Sequence, residues 1–241
     1  MSKIVKLIGK SKKYSANVAK IKEALKNSSS LSALEAAQVL FNLDQPNFKN
    51  GASVELHFRL AINSTKSDQL VRSSVVLPHG TGKEVKIAAF VTDENVELAK
   101  KLGAYKAGND DLIEEIKKSG KVDFDVAIAQ PDLMKKLPQI ARILGVAGVM
   151  PNPKTGTVGV NVEDMIKTIL AGKIDYKNDK TGNIHFVVGK INKSFTPEKI
   201  AENVEAAIDS VLKAKPEVIK KKYVLSVHLT TTMSPSIQIT Q

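Results

Sequence analysis

Hydrophobic and polar positions alternate most clearly in two stretches near opposite ends of the chain. In the first, Val54, Leu56, Phe58 and Leu60 fall on one side and Ser53, Glu55, His57 and Arg59 on the other. In the second, Leu225, Val227 and Leu229 alternate with Ser226, His228 and Thr230. A period of two residues predicts a β-strand with one buried face. Each strand then presents a polar face of hydroxyls, imidazole and charge. Placed in one sheet, the two would build a single hydrophilic floor. The second strand runs into Thr231, Thr232, Met233, Ser234, Pro235 and Ser236, a loop of small residues with exposed hydroxyls and backbone.

Helical spacing precedes the first strand. Val18, Ile21, Ala24 and Leu25 predict a short amphipathic helix over 14–25, and Leu34, Ala37, Leu40 and Phe41 a second over 34–43, with a polar break at 27–30 between them. Beyond a polar linker at 63–69 the rhythm changes. Strands are predicted over 71–77 and 85–91, and helices over 95–102 and 110–118. Residues 124–129 form a continuous apolar run, as in a parallel strand covered on both faces. The segments 131–137 and 138–144 each open on a proline and are read as helices. Strands and helices in alternation argue for a doubly wound α/β domain.

A second boundary falls at 148–159, dense in proline and glycine. A helix follows over 164–171, then strands over 174–176 and 182–188 around a polar loop, Lys177 to Thr181. Thr196-Pro197-Glu198 predicts a helix start, with threonine as cap and proline in the first position. Ile200, Val204, Ile208, Val211 and Leu212 hold its period. A basic link, 213–222, leads into the last strand. The chain is expected to leave one domain, build a second and return to complete the first, with two close crossings that permit hinge motion.

Charge sharpens this picture. The net charge is +11, from 36 basic and 25 acidic residues. The excess sits toward the ends. Residues 1–65, which include the basic arm Lys3, Lys6, Lys10, Lys12 and Lys13, carry ten basic and four acidic groups, whereas 66–159 are near balance with fourteen and twelve. A polyanion held by the two ends would account for that distribution, because cationic side chains release counterions from phosphates.

Enzyme chemistry is not visible. Cysteine is absent, which removes disulfides, thiol catalysis and cysteine-bound zinc. The four histidines, His57, His79, His185 and His228, lie far apart in sequence and show no metal-ligand spacing. Pro78-His79-Gly80-Thr81-Gly82-Lys83 invites a phosphate-loop reading, but the spacing before Gly-Lys is wrong and Glu84 replaces the required Ser or Thr. No cofactor is expected. The first ten residues are too short an apolar run for a signal peptide and nothing approaches a membrane span, so a soluble, cytoplasmic protein without a membrane partner is expected. Two rival functions remain from other classes: a nucleotide-binding or sugar-phosphate-binding enzyme built on the central domain, and a DNA regulator, for which no helix-turn-helix is apparent.

Several stretches together resemble one family, the universal large-subunit ribosomal protein L-one of the mobile ribosomal stalk, in its bacterial style. They are Ser67-Asp68-Gln69 with Val71-Arg72, Leu77 to Lys83, Met150-Pro151-Asn152-Pro153-Lys154-Thr155-Gly156-Thr157, Asp179-Lys180-Thr181-Gly182 with His185, and Thr230-Thr231-Thr232-Met233. The resemblance implies an RNA-binding α+β domain from both ends (1–66 and 160–241) and an inserted Rossmann-like α/β domain (67–159). It implies a non-enzymatic ribosomal protein that binds large-subunit ribosomal RNA, helps release deacylated tRNA from the exit site and represses translation of its own operon mRNA. A monomer off the ribosome is expected. Carried over residue by residue, the RNA contacts would be Phe48, Ser53, Glu55, His57, Arg59, Asp179, Lys180, Thr181, Gly182, Ser226, Thr232, Met233 and Ser234. Two departures stand out. Ser234 occupies a position where the family usually has glycine, and the segment between Phe48 and Ser53 is about two residues longer. Replacing Thr232 or Ser53 by alanine is expected to weaken RNA binding with little change in melting temperature.

Overall fold

A computed structural model describes residues 12–25, 28–192, 194–220 and 222–240. Lys3, Lys6 and Lys10 of the basic arm, Asn27 of the polar break and Lys221 of the basic link lie outside these residues. The chain opens with α1 (Lys12–Ala24), α2 (Ala33–Phe41) and β1 (Ala52–Leu60). Then come β2 (Arg72–Val76), β3 (Ile87–Phe90), α3 (Asp93–Lys101), β4 (Lys106–Gly108), α4 (Asp110–Ser119) and β5 (Val126–Ala129). After 3-10 turns the order is α5 (Ala141–Ala147), α6 (Val162–Leu170), β6 (Lys173–Lys177), β7 (Asn183–Ile191), α7 (Pro197–Lys213), β8 (Val224–Thr231) and β9 (Ile237–Ile239). The fold is of the α/β class.

The chain divides into two compact units. The first takes Met1–Val71, Leu77–Gly82 and Tyr176–Gln241, and the second Arg72–Val76 and Lys83–Asp175. These bounds differ from 66/67 and 159/160. Residues 160–175 join the second unit because Val162, Ile166 and Ile169 of α6 share a core with Ile87, Ala89 and Ile128 of its sheet. Leu77–Gly82 joins the first because its loop is tied to α7. Asn203, fully buried, accepts from the His79 N–H at 3.0 Å and donates to Gly80 O at 2.9 Å.

In the first unit, β1 lies between β7 and β8 in an antiparallel sheet of order β7-β1-β8-β9. Val54, Leu56, Phe58, Ile184, Val188, Val227 and Leu229 are buried. Helices α2 and α7 pack on the sheet through Ala36, Ala37, Leu40, Ile200, Val204 and Ala207, also buried. A capping box starts α2: Ser32 Oγ accepts from the Glu35 N–H, and Glu35 accepts from the Ser32 N–H at 2.9 Å. Pro197 stands in the first turn of α7, but Thr196 makes no side-chain cap bond to the backbone, contrary to expectation. Its hydroxyl is turned to the Glu198 carboxylate instead.

Leu225 is a second correction. Arg59 pairs with Ser226 and Leu60 with Val224, so β8 carries one extra residue at this point. The bulge turns Val224 inward and leaves Leu225 43% exposed, reversing the alternation at the start of the strand.

The second unit has a parallel sheet, β4-β3-β5, with β3 central. Ala88 and Phe90 face one core with Leu112, Ile113, Ile116 and Leu144. Ile87, Ala89 and Val91 face another with Ala99, Ile166 and Ile169. Helices thus cover both faces, and β3 has to be apolar throughout. The two proline-led helices are not observed. Pro138 sits in a 3-10 turn, Leu137–Ile140, and α5 starts only at Ala141. Without an N–H, proline cannot carry one helix through this point.

Candidate nucleic-acid interface

The polar face of the first unit's sheet is laid out by strand register. On β1, Ser53, Glu55, His57 and Arg59 point away from α2 and α7 by simple alternation. From β7, Lys190 lies opposite Ser53, Val187 opposite Glu55, His185 opposite His57 and Asn183 opposite Arg59. From β8, Thr230, His228 and Ser226 lie opposite Glu55, His57 and Arg59. Gln238 of β9 extends the middle row beyond His228. From Ser53 to Arg59 the face spans about 20 Å at the usual rise of a strand.

Three of the four histidines therefore stand side by side. His57 Nδ1 and His185 Nδ1 are 2.7 Å apart, one donating to the other. His57 Nε2 is 3.8 Å from Glu55 Oε2, and His185 Nε2 is 3.7 Å from Asp179 Oδ2. Burial, then His185, lowers the pKa of His57 from the ordinary histidine value, against the opposing pull of Glu55. Burial lowers that of His228, whose Nδ1 is buried without a hydrogen-bond partner. Among the described residues, no group of His, Cys, Asp and Glu is arranged to hold a metal, and no helix is long and apolar enough to cross a membrane.

The residues expected as contacts separate into two ends. At the Arg59 end, the turn before β7 is built by Asp179, Thr181 and Gly182. Asp179 Oδ1 accepts from the N–H of Thr181 at 2.9 Å and of Asn183 at 2.7 Å, and Oδ2 accepts from the Thr181 hydroxyl at 2.7 Å. These bonds push the Asp179 carboxyl well below the usual carboxylate range. Gly182 has φ +81°, which the turn needs from a residue without Cβ. The polar groups of Asp179 and Thr181 are thus occupied by the turn, while Lys180 is exposed.

At the Ser53 end, the Thr232 N–H donates to Ser53 O at 3.0 Å, and Thr232 Oγ1 accepts from the Ser53 N–H at 3.2 Å. The chain then turns through Thr231–Ser234, closed by Ser234 N–H to Thr231 O at 2.9 Å. Met233, not Ser234, takes the positive φ, +71°, and its side chain is 78% exposed. Ser234 uses its hydroxyl to accept from the Thr231 N–H at 2.9 Å. The substitution of serine for glycine therefore meets no backbone demand at 234. Phe48, 46% exposed, stands on the turn that enters β1 at this same end of the strand, outside the paired face.

Lys190, His185, His228, Asn183 and Thr230 complete the face but were absent from the expected contacts. The signal available was the same alternation: His185 and Asn183 flank Ile184, as His228 and Thr230 flank Leu229.

A family model described as the Ribosomal protein L1p/L10e family matches residues 10–235. A large ribosomal subunit protein uL1 from Kosmotoga olearia is 46% identical over 205 residues, covering 85% of this chain and 87% of that protein. The protein of the same name from Renibacterium salmoninarum is 44% identical over 230 residues, covering 95% and 94%. That from a Shewanella species is 49% identical over 189 residues, covering 78% and 80%.

Proposed function

Since the chain belongs to the ribosomal protein L1p/L10e family, whose members are structural rather than enzymatic, we propose that it is a constituent of the large ribosomal subunit that grips folded ribosomal RNA of the mobile stalk with the polar face of β7-β1-β8-β9. One observation carries this reading: helices pack on the apolar side of that sheet, while the other side keeps Arg59 and Lys190 among hydroxyls, imidazoles, amides and the carboxylate of Glu55. Such a surface suits A-form or looped RNA, which offers phosphates and 2′-hydroxyls rather than a readable major groove. Phe48, Met233 and Lys180, exposed on the flanking turns, would add contacts at its two ends. The inserted Rossmann-like unit would help release deacylated tRNA from the exit site, and the same polar face would bind the protein's own mRNA as a repressor. These roles follow the family resemblance, as does action in the cytoplasm.

The test is binding to a folded ribosomal stalk RNA fragment across a salt series, with duplex DNA as control. Tight binding selective for the RNA at near-physiological salt is expected. Equal, weak and steeply salt-dependent binding to both would reduce the face to a lysine-rich surface.

A further inference from the structure

The middle of the polar face poses an electrostatic problem. A polyanion laid across it meets Arg59 and Lys190 toward the two ends, but also Glu55 beside His57 and Asp179 beside His185. Asp179 is held ionised by its own turn. Between the two carboxylates lies the His57–His185 pair, its Nδ1 atoms 2.7 Å apart. That geometry has a definite capacity for protons. In the neutral pair one ring donates Nδ1–H and the other accepts, so one Nε2 is a donor and the other an acceptor. One further proton makes a ring imidazolium without breaking the Nδ1···Nδ1 bond, and both Nε2 atoms become donors. Neither Nε2 is within hydrogen-bond reach of its carboxylate, at 3.8 and 3.7 Å. His185 is half exposed, so at least one of these donors is open to a ligand. A second proton would set two donors against each other, so the pair loads once.

We propose that the His57–His185 pair is a proton-coupled phosphate subsite: a phosphodiester of the bound RNA draws one proton from solvent into the pair and accepts from an exposed Nε2–H of the charged pair. This deepens, and rests on, the reading of the sheet face as the RNA grip. The charged and titratable groups around the pair are Glu55 and Arg59 on β1, Asp179 on the preceding turn and His228 on β8, with Lys190 farther along β7 opposite Ser53 and Lys180 exposed next to Asp179, while β9 contributes only the neutral Gln238. His228 stays out of the exchange, because protonating its buried Nδ1 would strand a donor without a partner. In the free protein burial, and then His185, holds His57 below its ordinary pKa, so its ring favours the neutral form. A bound phosphate raises that affinity for the proton, and by linkage RNA binds more tightly as pH falls.

The experiment measures affinity for the stalk RNA fragment at fixed ionic strength from pH 5.5 to 8.5, for wild type, His185→Asn and His228→Gln. Wild type should gain up to about tenfold in affinity per pH unit on acidification, the limit for one proton. His185→Asn should lose that slope, and His228→Gln should keep it. Titration of the RNA itself is common to all three and cancels in the comparison. Calorimetry of wild type at pH 6.5 in two buffers of different ionisation enthalpy reads the uptake without any substitution, and a fractional uptake of up to one proton is expected. RNA binding with no proton uptake, or a slope retained in His185→Asn, overturns the subsite and leaves the RNA grip standing. Failure to bind the RNA at every pH overturns the grip and the subsite together.

Discussion

Met233 and Ser234 divide the work of one turn. Methionine at φ +71° costs about 1–2 kcal/mol relative to a relaxed conformation. Met233→Gly removes that strain but adds freedom to the unfolded chain, worth roughly 0.4–1 kcal/mol in the opposite direction. Stability by urea denaturation should therefore be unchanged or higher by up to about 1.6 kcal/mol, while RNA affinity falls with the exposed side chain. Unchanged affinity would mean that Met233 serves the turn only. Thr232 is less simple than its polar position suggests. Its hydroxyl accepts from the Ser53 N–H, so Thr232→Ala should cost about 1 kcal/mol of stability as well as affinity. Ser53→Ala leaves both backbone groups in place and should lower affinity alone, and the pair of melting curves separates the two cases. Histidine titration adds a pH dependence. Folded His57 and His228 bind protons less readily than they do unfolded, so the unfolded chain gains protons first as pH falls below about 6.5. Folding stability should decline from pH 7 toward pH 5, and His228→Gln should flatten the decline. An identical slope in that variant would assign the loss to other groups.

Strands and helices were legible where a single rule decided them, and blurred where pairing decided them. The alternation of 53–60 and the apolar run at 124–129 are local patterns, and β1 and β5 formed on them. Three-residue strands such as β4 (Lys106–Gly108) and β9 (Ile237–Ile239) carry too few positions to show a period, and owe their form to neighbours already in the sheet. Bulges escape pattern reading for the same reason, since the extra residue is defined only by the partner strand. Leu225 is one case. Another lies on β7, where Val54 pairs with Gly189 but Glu55 with Val187, and that shift sets Lys190 beside Ser53. The row of three histidines was invisible in sequence because it exists only in the register of β1 with β7 and β8. The turn that feeds β1 allows a test of how firmly that register is held. Gly51 has φ +77°, and a Cβ there would come 2.2 Å from Ile191 O of the neighbouring strand. Gly51→Ala should cost at least about 1–3 kcal/mol from the backbone conformation alone, with a further loss from the clash. A melting temperature equal to wild type would show that the end of β1 can shift away from β7, and with it the spacing of the face.

Net charge and placed charge make different demands on the molecule as a whole. A value of +11 draws any polyanion at long range, and it does so wherever the lysines lie. A grip through the polar face requires in addition that a few cations release counterions at defined phosphates. Arg59 and Lys190 flank the histidine row on the first unit, whereas Lys101 and Lys117 are exposed on α3 and α4 of the second. Removing either pair lowers the net charge by the same amount. Arg59→Ala with Lys190→Ala should reduce the slope of log affinity against log salt by about 1.4–1.8, at roughly 0.7–0.9 for each phosphate no longer neutralised. Lys101→Ala with Lys117→Ala should leave that slope nearly unchanged and lower affinity only slightly at low salt, where screening is weak. Equal effects from the two pairs would mean that the field of the whole protein, rather than the sheet, holds the RNA. A large effect confined to the second pair would move the grip to the inserted unit. The first pattern is expected, because its two charges share one strand-built face with the hydroxyls and imidazoles that can complete a phosphate's hydrogen bonds.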